Sequence, residues 1–139
     1  PSVRRAYYTA TNLVASRMAI EALEYNHVVM DRYWTSTVAF SAMDDGDEMA
    51  QWEGQYPAAI RPPEILILLT VDENNRNKRM VGRGEPTTVE EYNLATDNLR
   101  REAVIASFRT FSPVEIDTSN LNPDEVLQAA LQIVENHHH

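Results

Sequence analysis

The chain has 139 residues, with 12 basic against 21 acidic side chains, a net charge of −9 and no cysteine. These numbers exclude disulfides, thiolate nucleophiles and zinc–thiolate clusters, and so acidic a chain is not expected to bind DNA or RNA broadly. His27 is the only histidine outside the terminal run 137–139, which reads as a tag remnant set aside from the fold, so His-based metal sites and triads are not expected either.

From Val3 to Leu23 the apolar positions Val3, Ala6, Tyr7, Ala10, Leu13, Val14, Met18 and Ala22 follow helical spacing. They predict one amphipathic helix of about six turns. Val28-Val29-Met30 then predicts a strand buried on both faces, as in a parallel sheet, and it runs straight into Asp31 and Arg32. Open α/β sheets bind ligands at the carboxyl ends of their strands. The pair is therefore placed for chemistry, although this stretch alone fits a structural ion pair equally well. Thr35 to Ala42 predicts a second helix, with Ser36 and Thr37 in its first turn. A helix N-terminus beside Arg32 favours an anion.

Asp44-Asp45-Gly46-Asp47-Glu48 lacks the spacing of a calcium loop and reads as a solvated acidic loop. Gln51 to Ile60 predicts a short irregular helix, broken by Arg61-Pro62-Pro63. Ile65 to Val71 is apolar at nearly every position and predicts a central parallel strand; its core Ile65 to Leu69, the longest apolar run, is too short to span a membrane, and no membrane partner is expected. Asp72 is placed to cap the next helix, which holds the basic cluster Arg76, Lys78, Arg79 and Arg83 and is ended by Gly82, Gly84 and Pro86. Arg83 then lies between two glycines on a mobile segment.

Thr88-Val89-Glu90-Glu91 has the form of a capping box. The helix it opens runs to about Arg109, with Tyr92, Leu99, Ile105 and Phe108 as core candidates. Val114 to Asp117 predicts a short strand, and Asn122-Pro123-Asp124-Glu125 opens a last helix whose buried stripe is Val126, Leu127, Ala130, Leu131 and Val134. The alternation of strands and helices predicts an α/β fold, a three-layer parallel sheet with helices on both faces. Three strands are few for such a sheet, so an N-terminal strand is expected ahead of Pro1.

All but one of the 12 basic residues are arginine, the side chain whose planar fork pairs bidentately with phosphate or carboxylate. Asp31-Arg32 after one strand and the arginine cluster after another suit phosphoryl transfer, where positioning and charge stabilisation dominate over covalent chemistry. The cluster by itself also fits a solvated helix face.

Asp31-Arg32-Tyr33-Trp34-Thr35-Ser36-Thr37-Val38-Ala39-Phe40 resembles the Asp-Arg-Tyr signature of thymidylate-kinase-like nucleoside monophosphate kinases. Arg61-Pro62-Pro63-Glu64 with the strand after it, and Gly82-Arg83-Gly84 after a helix carrying Arg79, resemble further segments of that P-loop kinase family. Arg4-Arg5-Ala6-Tyr7-Tyr8, Val14-Ala15-Ser16 and Trp34 look like its mitochondrial UMP-CMP kinase type. The resemblance implies that residues 1–136 form a single kinase-like domain, the C-terminal portion of one.

By the same resemblance Arg32 would hold the acceptor phosphate and the transferred phosphoryl. Asp31 would sit near the water shell of Mg²⁺ without ligating it directly. Tyr7 would stack on the acceptor pyrimidine, Asn12 would read its edge, Ser36 would line the same site, and Phe40 would crowd the sugar. Arg79 and Arg83 would be lid arginines, and Asp117 and Ser119 would lie against the adenine of ATP. Two departures stand out: Thr11 occupies the position of the family's base-reading arginine, next to Asn12, and no G-x-x-x-x-G-K-[ST] phosphate loop occurs in the 139 residues.

The expected function is transfer of the ATP γ-phosphoryl to dUMP, dCMP, UMP or CMP by the full-length protein, with ATP and Mg²⁺ as cofactors and this chain inactive alone. The alternatives are a thymidylate kinase acting on dTMP and a non-catalytic kinase-fold binding or scaffold module. A mitochondrial, otherwise intracellular, location and a homodimer are implied only through the resemblance.

Overall fold

The computed structural model describes residues 2–44, 49–84 and 98–138, which fall into two compact units. The first is drawn from residues 1–62 and 88–112, the second from 63–87 and 113–139.

The first unit is built from three helices, α1 (Ser2–Ala22), α2 (Trp34–Ser41) and α4 (Asn98–Arg109), with a 3₁₀ turn at Ala50–Trp52. All of α2 except Ser36 is buried, as befits a helix without a charged residue that packs against α1, α4 and the 3₁₀ turn. Two apolar clusters form around it. Ala39, Phe40, Met43 and Val104 pack with Phe108, while Trp34, Val38 and Ile60 pack with Tyr33, Met49, Trp52, Tyr56 and Phe111. Trp34 meets Trp52 edge-on at 5.7 Å and donates its indole N–H to the Gln55 carbonyl at 2.8 Å, so its polar atom is satisfied in the core. The return of the chain near Gly54 has φ +71°, and a Cβ there would lie 2.8 Å from the Thr110 carbonyl oxygen. Glycine is required at that approach.

The helix expected at Val3–Leu23 is present as α1, but with another face inward. Val3, Tyr7, Val14 and Met18 are between 60% and 83% exposed, while the buried residues are Arg5, Asn12 and Ser16. Each has a partner, as burial of polar groups demands. Arg5 pairs with Asp44 at 2.7 Å, Asn12 donates to the Thr37 hydroxyl at 2.7 Å, and Ser16 accepts from the Arg61 N–H at 2.8 Å.

Residues 27–30 form no strand, contrary to expectation, and Val29 is 97% exposed. β-branched residues favour extended chain, but a strand needs a ladder partner. Among the described residues the two strands pair with each other, in the second unit.

That unit holds β1 (Ile67–Thr70), α3 (Glu73–Arg83), β2 (Val114–Asp117) and α5 (Pro123–His138). The strands are parallel, with Ile67 opposite Val114 and Thr70 opposite Asp117, and each leads into a helix, so the expected α/β class with parallel pairing stands. Both helix starts follow the sequence. Asp72 caps α3 by accepting from the Asn75 N–H at 2.8 Å. At α5 the Asn122 side chain accepts from the Glu125 N–H and Glu125 accepts from the Asn122 N–H, a reciprocal capping box.

Burial within the second unit is shallower than the apolar runs suggest. Leu69, expected inside a central strand, is 55% exposed, and no residue of α5 is buried, with Leu127 at 54% and Leu131 at 44%. A two-stranded sheet offers too narrow a face to cover a four-turn stripe. Arg83 is the last residue of α3 rather than part of a segment outside it, and Gly84, at φ +86°, ends the helix. In α4 Leu99 is 77% exposed and Val104 and Ser107 take the buried positions. The acidic residues 45–48, Pro86, the Thr88–Glu91 capping box and Tyr92 lie outside the described residues.

Candidate functional site

A cleft of about 180 Å³ opens in the first unit between α1, the 31–33 turn and α2. From α1 it takes Arg5, Tyr8, Thr11 and Asn12, which recur at three and four residues and so share one helix face. Arg32 and Tyr33 come from the turn. Ser36, Thr37 and Phe40 complete it from α2, again at helical spacing.

The backbone at Arg32 has φ +65°, in the left-handed region that non-glycine residues rarely enter. Such conformations persist where the surrounding structure imposes them and cluster at functional sites. The buried Trp34 anchors the next residue but one. The central carbon of the Arg32 guanidinium lies 4.9 Å from the centroid of the Phe40 ring, within cation–π range. Tyr33 occupies the N-cap position of α2 without a side-chain cap bond, and its carbonyl accepts from the N–H groups of Ser36 and Thr37.

Beneath the cleft Arg5 is 6% exposed. Its Nη2 donates to the Phe40 carbonyl at 3.0 Å, and its Nε and Nη2 donate to the Asp44 carboxylate at 2.7 and 3.3 Å. The arginine thus places a cation at the C-terminal end of α2, where the helix dipole favours one. The Tyr33 hydroxyl is buried without a hydrogen-bond partner. Burial, and then the neighbouring Tyr33, pushes the Tyr56 phenol up to about 12.

In the second unit the strand ends are tied together. Thr118 donates its N–H and its hydroxyl to the Thr70 carbonyl at 2.8 and 2.9 Å. Arg79 donates to the Thr118 hydroxyl at 2.9 Å and to its carbonyl at 2.5 Å. Ser119 donates its hydroxyl to Asp117 at 2.6 Å and accepts from the Asp72 N–H at 2.8 Å. The Ser119 hydroxyl, followed by its N–H, holds the Asp117 carboxyl below the usual range, and the Asn75 N–H, followed by the Asn75 amide, does the same for Asp72.

Of the residues singled out in the sequence, Arg32, Asn12, Ser36 and Phe40 line the cleft together. Asp31 is exposed next to Arg32 and does not line it, and Tyr7 is 66% exposed, with Tyr8 lining the cleft in its place. Arg79 and Arg83 are on α3, and Asp117 and Ser119 lie at the end of β2, all in the second unit. Thr11, at the position of the family's base-reading arginine, lines the cleft too, as do Arg5, Tyr8, Tyr33 and Thr37, which the sequence does not single out as site residues. The signal for Arg5 and Tyr8 is the face of α1 that carries Asn12, since the three follow one another by i+3 and i+4.

Among the described residues no three acidic or histidine side chains are grouped to hold a metal ion. Magnesium needs no such cage, because it is commonly held by one or two carboxylates and substrate phosphates.

A family model of thymidylate kinase matches residues 3–129. Human mitochondrial UMP-CMP kinase 2 is 30% identical over 84 residues, a stretch that covers 59% of this chain and 19% of that protein. No solved structure matches the chain.

Proposed function

The chain belongs to the thymidylate kinase family, whose fold is that of the P-loop kinases, and from that premise we propose that it carries the acceptor site of an ATP-dependent nucleoside monophosphate kinase acting on dCMP, CMP, dUMP or UMP. The observation that carries the reading is Arg32, set by a left-handed turn at a small cleft with Asn12, Tyr8 and Phe40 in its walls. At about 180 Å³ the cleft is smaller than the roughly 300–1,000 Å³ of sites that enclose a drug-sized ligand. It suits one ring, with the sugar and phosphate extending toward Arg32.

In this reading Arg32 pairs with the acceptor phosphate and then with the transferred phosphoryl, through its bidentate fork. Asn12 reads the pyrimidine edge with an amide that presents either a donor or an acceptor. The choice of uridylate or cytidylate over thymidylate rests on the likeness to UMP-CMP kinase 2 and on Asn12. Tyr8 takes the base-stacking role that the family resemblance implies for Tyr7. Arg79 and Arg83 are proposed as phosphate-binding arginines of the second unit and the 117–119 turn as the surface against adenine. Asp31 is proposed to meet Mg²⁺ through water; when bound, Mg²⁺ neutralises charge on the phosphoryl oxygens. Residues 1–136 are proposed as part of one kinase domain, and a mitochondrial location and a homodimer belong to the proposal through the same likeness.

The test is ATP-dependent phosphorylation of dCMP, CMP, dUMP, UMP and dTMP, measured side by side on the full-length protein and its Arg32→Ala variant. Loss of a transition-state charge contact commonly costs about 10²-fold or more. A variant within about threefold of wild type refutes the role of Arg32 on that scale. Preference for dTMP makes the protein a thymidylate kinase, and no turnover of any acceptor makes it a binding module.

A further inference from the structure

The guanidinium of Arg32 makes no hydrogen bond or ion pair among the described residues; its central carbon lies over Phe40, 4.9 Å from the ring centroid. Phe40 is itself held on two sides. Its carbonyl accepts from Arg5, which also grips Asp44, and its ring meets Phe108 edge-on at 6.1 Å and 88°. With 7% of its surface exposed, the ring is a fixed surface rather than a loose neighbour.

We propose that Phe40 is a positioning residue: its ring is the platform on which the Arg32 guanidinium is held ready for an anionic phosphoryl group. A cation–π contact is made by the charge of the guanidinium with the ring face, and the ring is no acceptor of the kind a phosphate oxygen is, so the N–H donors of Arg32 keep their hydrogen-bonding capacity. The platform therefore orders the cation without using a single hydrogen bond that a phosphate would take. An arginine ordered beforehand has less side-chain freedom to lose on binding. Arg5 and Asp44 act one step further back, fixing the backbone of the platform from the C-terminal end of α2. This inference rests on the reading of the cleft as the acceptor site, and it assigns Phe40 a part distinct from contact with the sugar.

The two parts separate with a pair of probes, dCMP and deoxycytidine, which share base and sugar and differ in the phosphate. Both are titrated calorimetrically into the full-length wild-type protein and its Phe40→Leu, Phe40→Tyr, Arg32→Ala and doubly substituted Arg32→Ala/Phe40→Leu variants. Loss of a cation–π platform is expected to weaken dCMP about 3- to 30-fold more than deoxycytidine in Phe40→Leu. Phe40→Tyr, which keeps a ring of the same size, keeps the dCMP affinity, and Phe40→Leu adds no selective loss of dCMP once Arg32 is alanine. Equal weakening of both probes, or a selective loss that persists without Arg32, overturns the platform and leaves the acceptor site standing. Wild-type protein that binds neither probe overturns the acceptor-site reading, and the platform with it. A measurement free of substitution is the ligand-free NMR spectrum, in which the Arg32 side-chain resonances must carry the upfield ring-current shift of a stacked group. Their absence refutes the proposal whether or not the Phe40→Leu variant folds.

Discussion

Replacing Arg5 by methionine leaves the Asp44 carboxylate and the Phe40 carbonyl in place and removes the donors that face them. The side chains of the pair are 7% and 11% exposed, so the stranded carboxylate recovers little hydration. Removing one partner of a buried pair costs about 3–5 kcal/mol, a large part of the roughly 5–15 kcal/mol that stabilises a whole domain. The melting temperature should fall by about 10 °C or more. Urea unfolding followed by tryptophan fluorescence reads this directly, since Trp34 and Trp52 both lie in the apolar cluster of the first unit. Replacing both partners, Arg5→Met with Asp44→Leu, should recover at least half of the loss, because an apolar pair leaves no buried charge. A single substitution costing under about 1 kcal/mol, as exposed pairs do, or a double substitution that costs the sum of the two singles, refutes the reasoning.

Ionisation supplies two further predictions. Tyr56, raised to about 12 by burial and by Tyr33, stabilises the fold as the neutral phenol. Its contribution is complete below the ordinary tyrosine value near 10 and is lost as the pH rises through its own. Tyr56→Phe should therefore flatten the fall in urea midpoint above about pH 10, and an unchanged alkaline limb contradicts the assignment. Asp72 and Asp117, both lowered by hydrogen bonds to their carboxylates, act in the opposite sense. Their contribution is present above the ordinary aspartate value of about 3.9 and is lost as the pH falls through their own. Carboxyl NMR titration should find both below that value, and Asp72→Asn and Asp117→Asn should weaken the acid dependence. Titration at or above the ordinary value speaks against both turns.

Features set by short stretches were legible in the chain. Asp72 and Asn122 cap their helices because a side chain one to three residues from a free N–H can reach it whatever the rest of the molecule does. The strand at 67–70 follows from a dense apolar run and that at 114–117 from the β-branched Val114 and Ile116. The cleft is half legible: Arg32, Asn12, Ser36 and Phe40 stand out in the sequence and line it, whereas Tyr8 lines it and Tyr7 does not, as the spacing from Asn12 favours.

The amino-acid sequence by itself determined where α3 and α5 begin and the α/β class, because each depends on local propensity or capping. Only the tertiary structure decided which face of each element is buried. Apolar spacing in α1 marks Val3, Tyr7, Val14 and Met18 as a stripe, yet the helix opposite, α2, presents Thr37 and the Phe40 carbonyl, and these select Asn12 and Arg5 to face inward. Burial is a property of two surfaces, and one surface alone cannot specify it. The same holds for residues 27–30, whose valines favour an extended chain but form no strand in the first unit, since a strand exists only where a second one meets it.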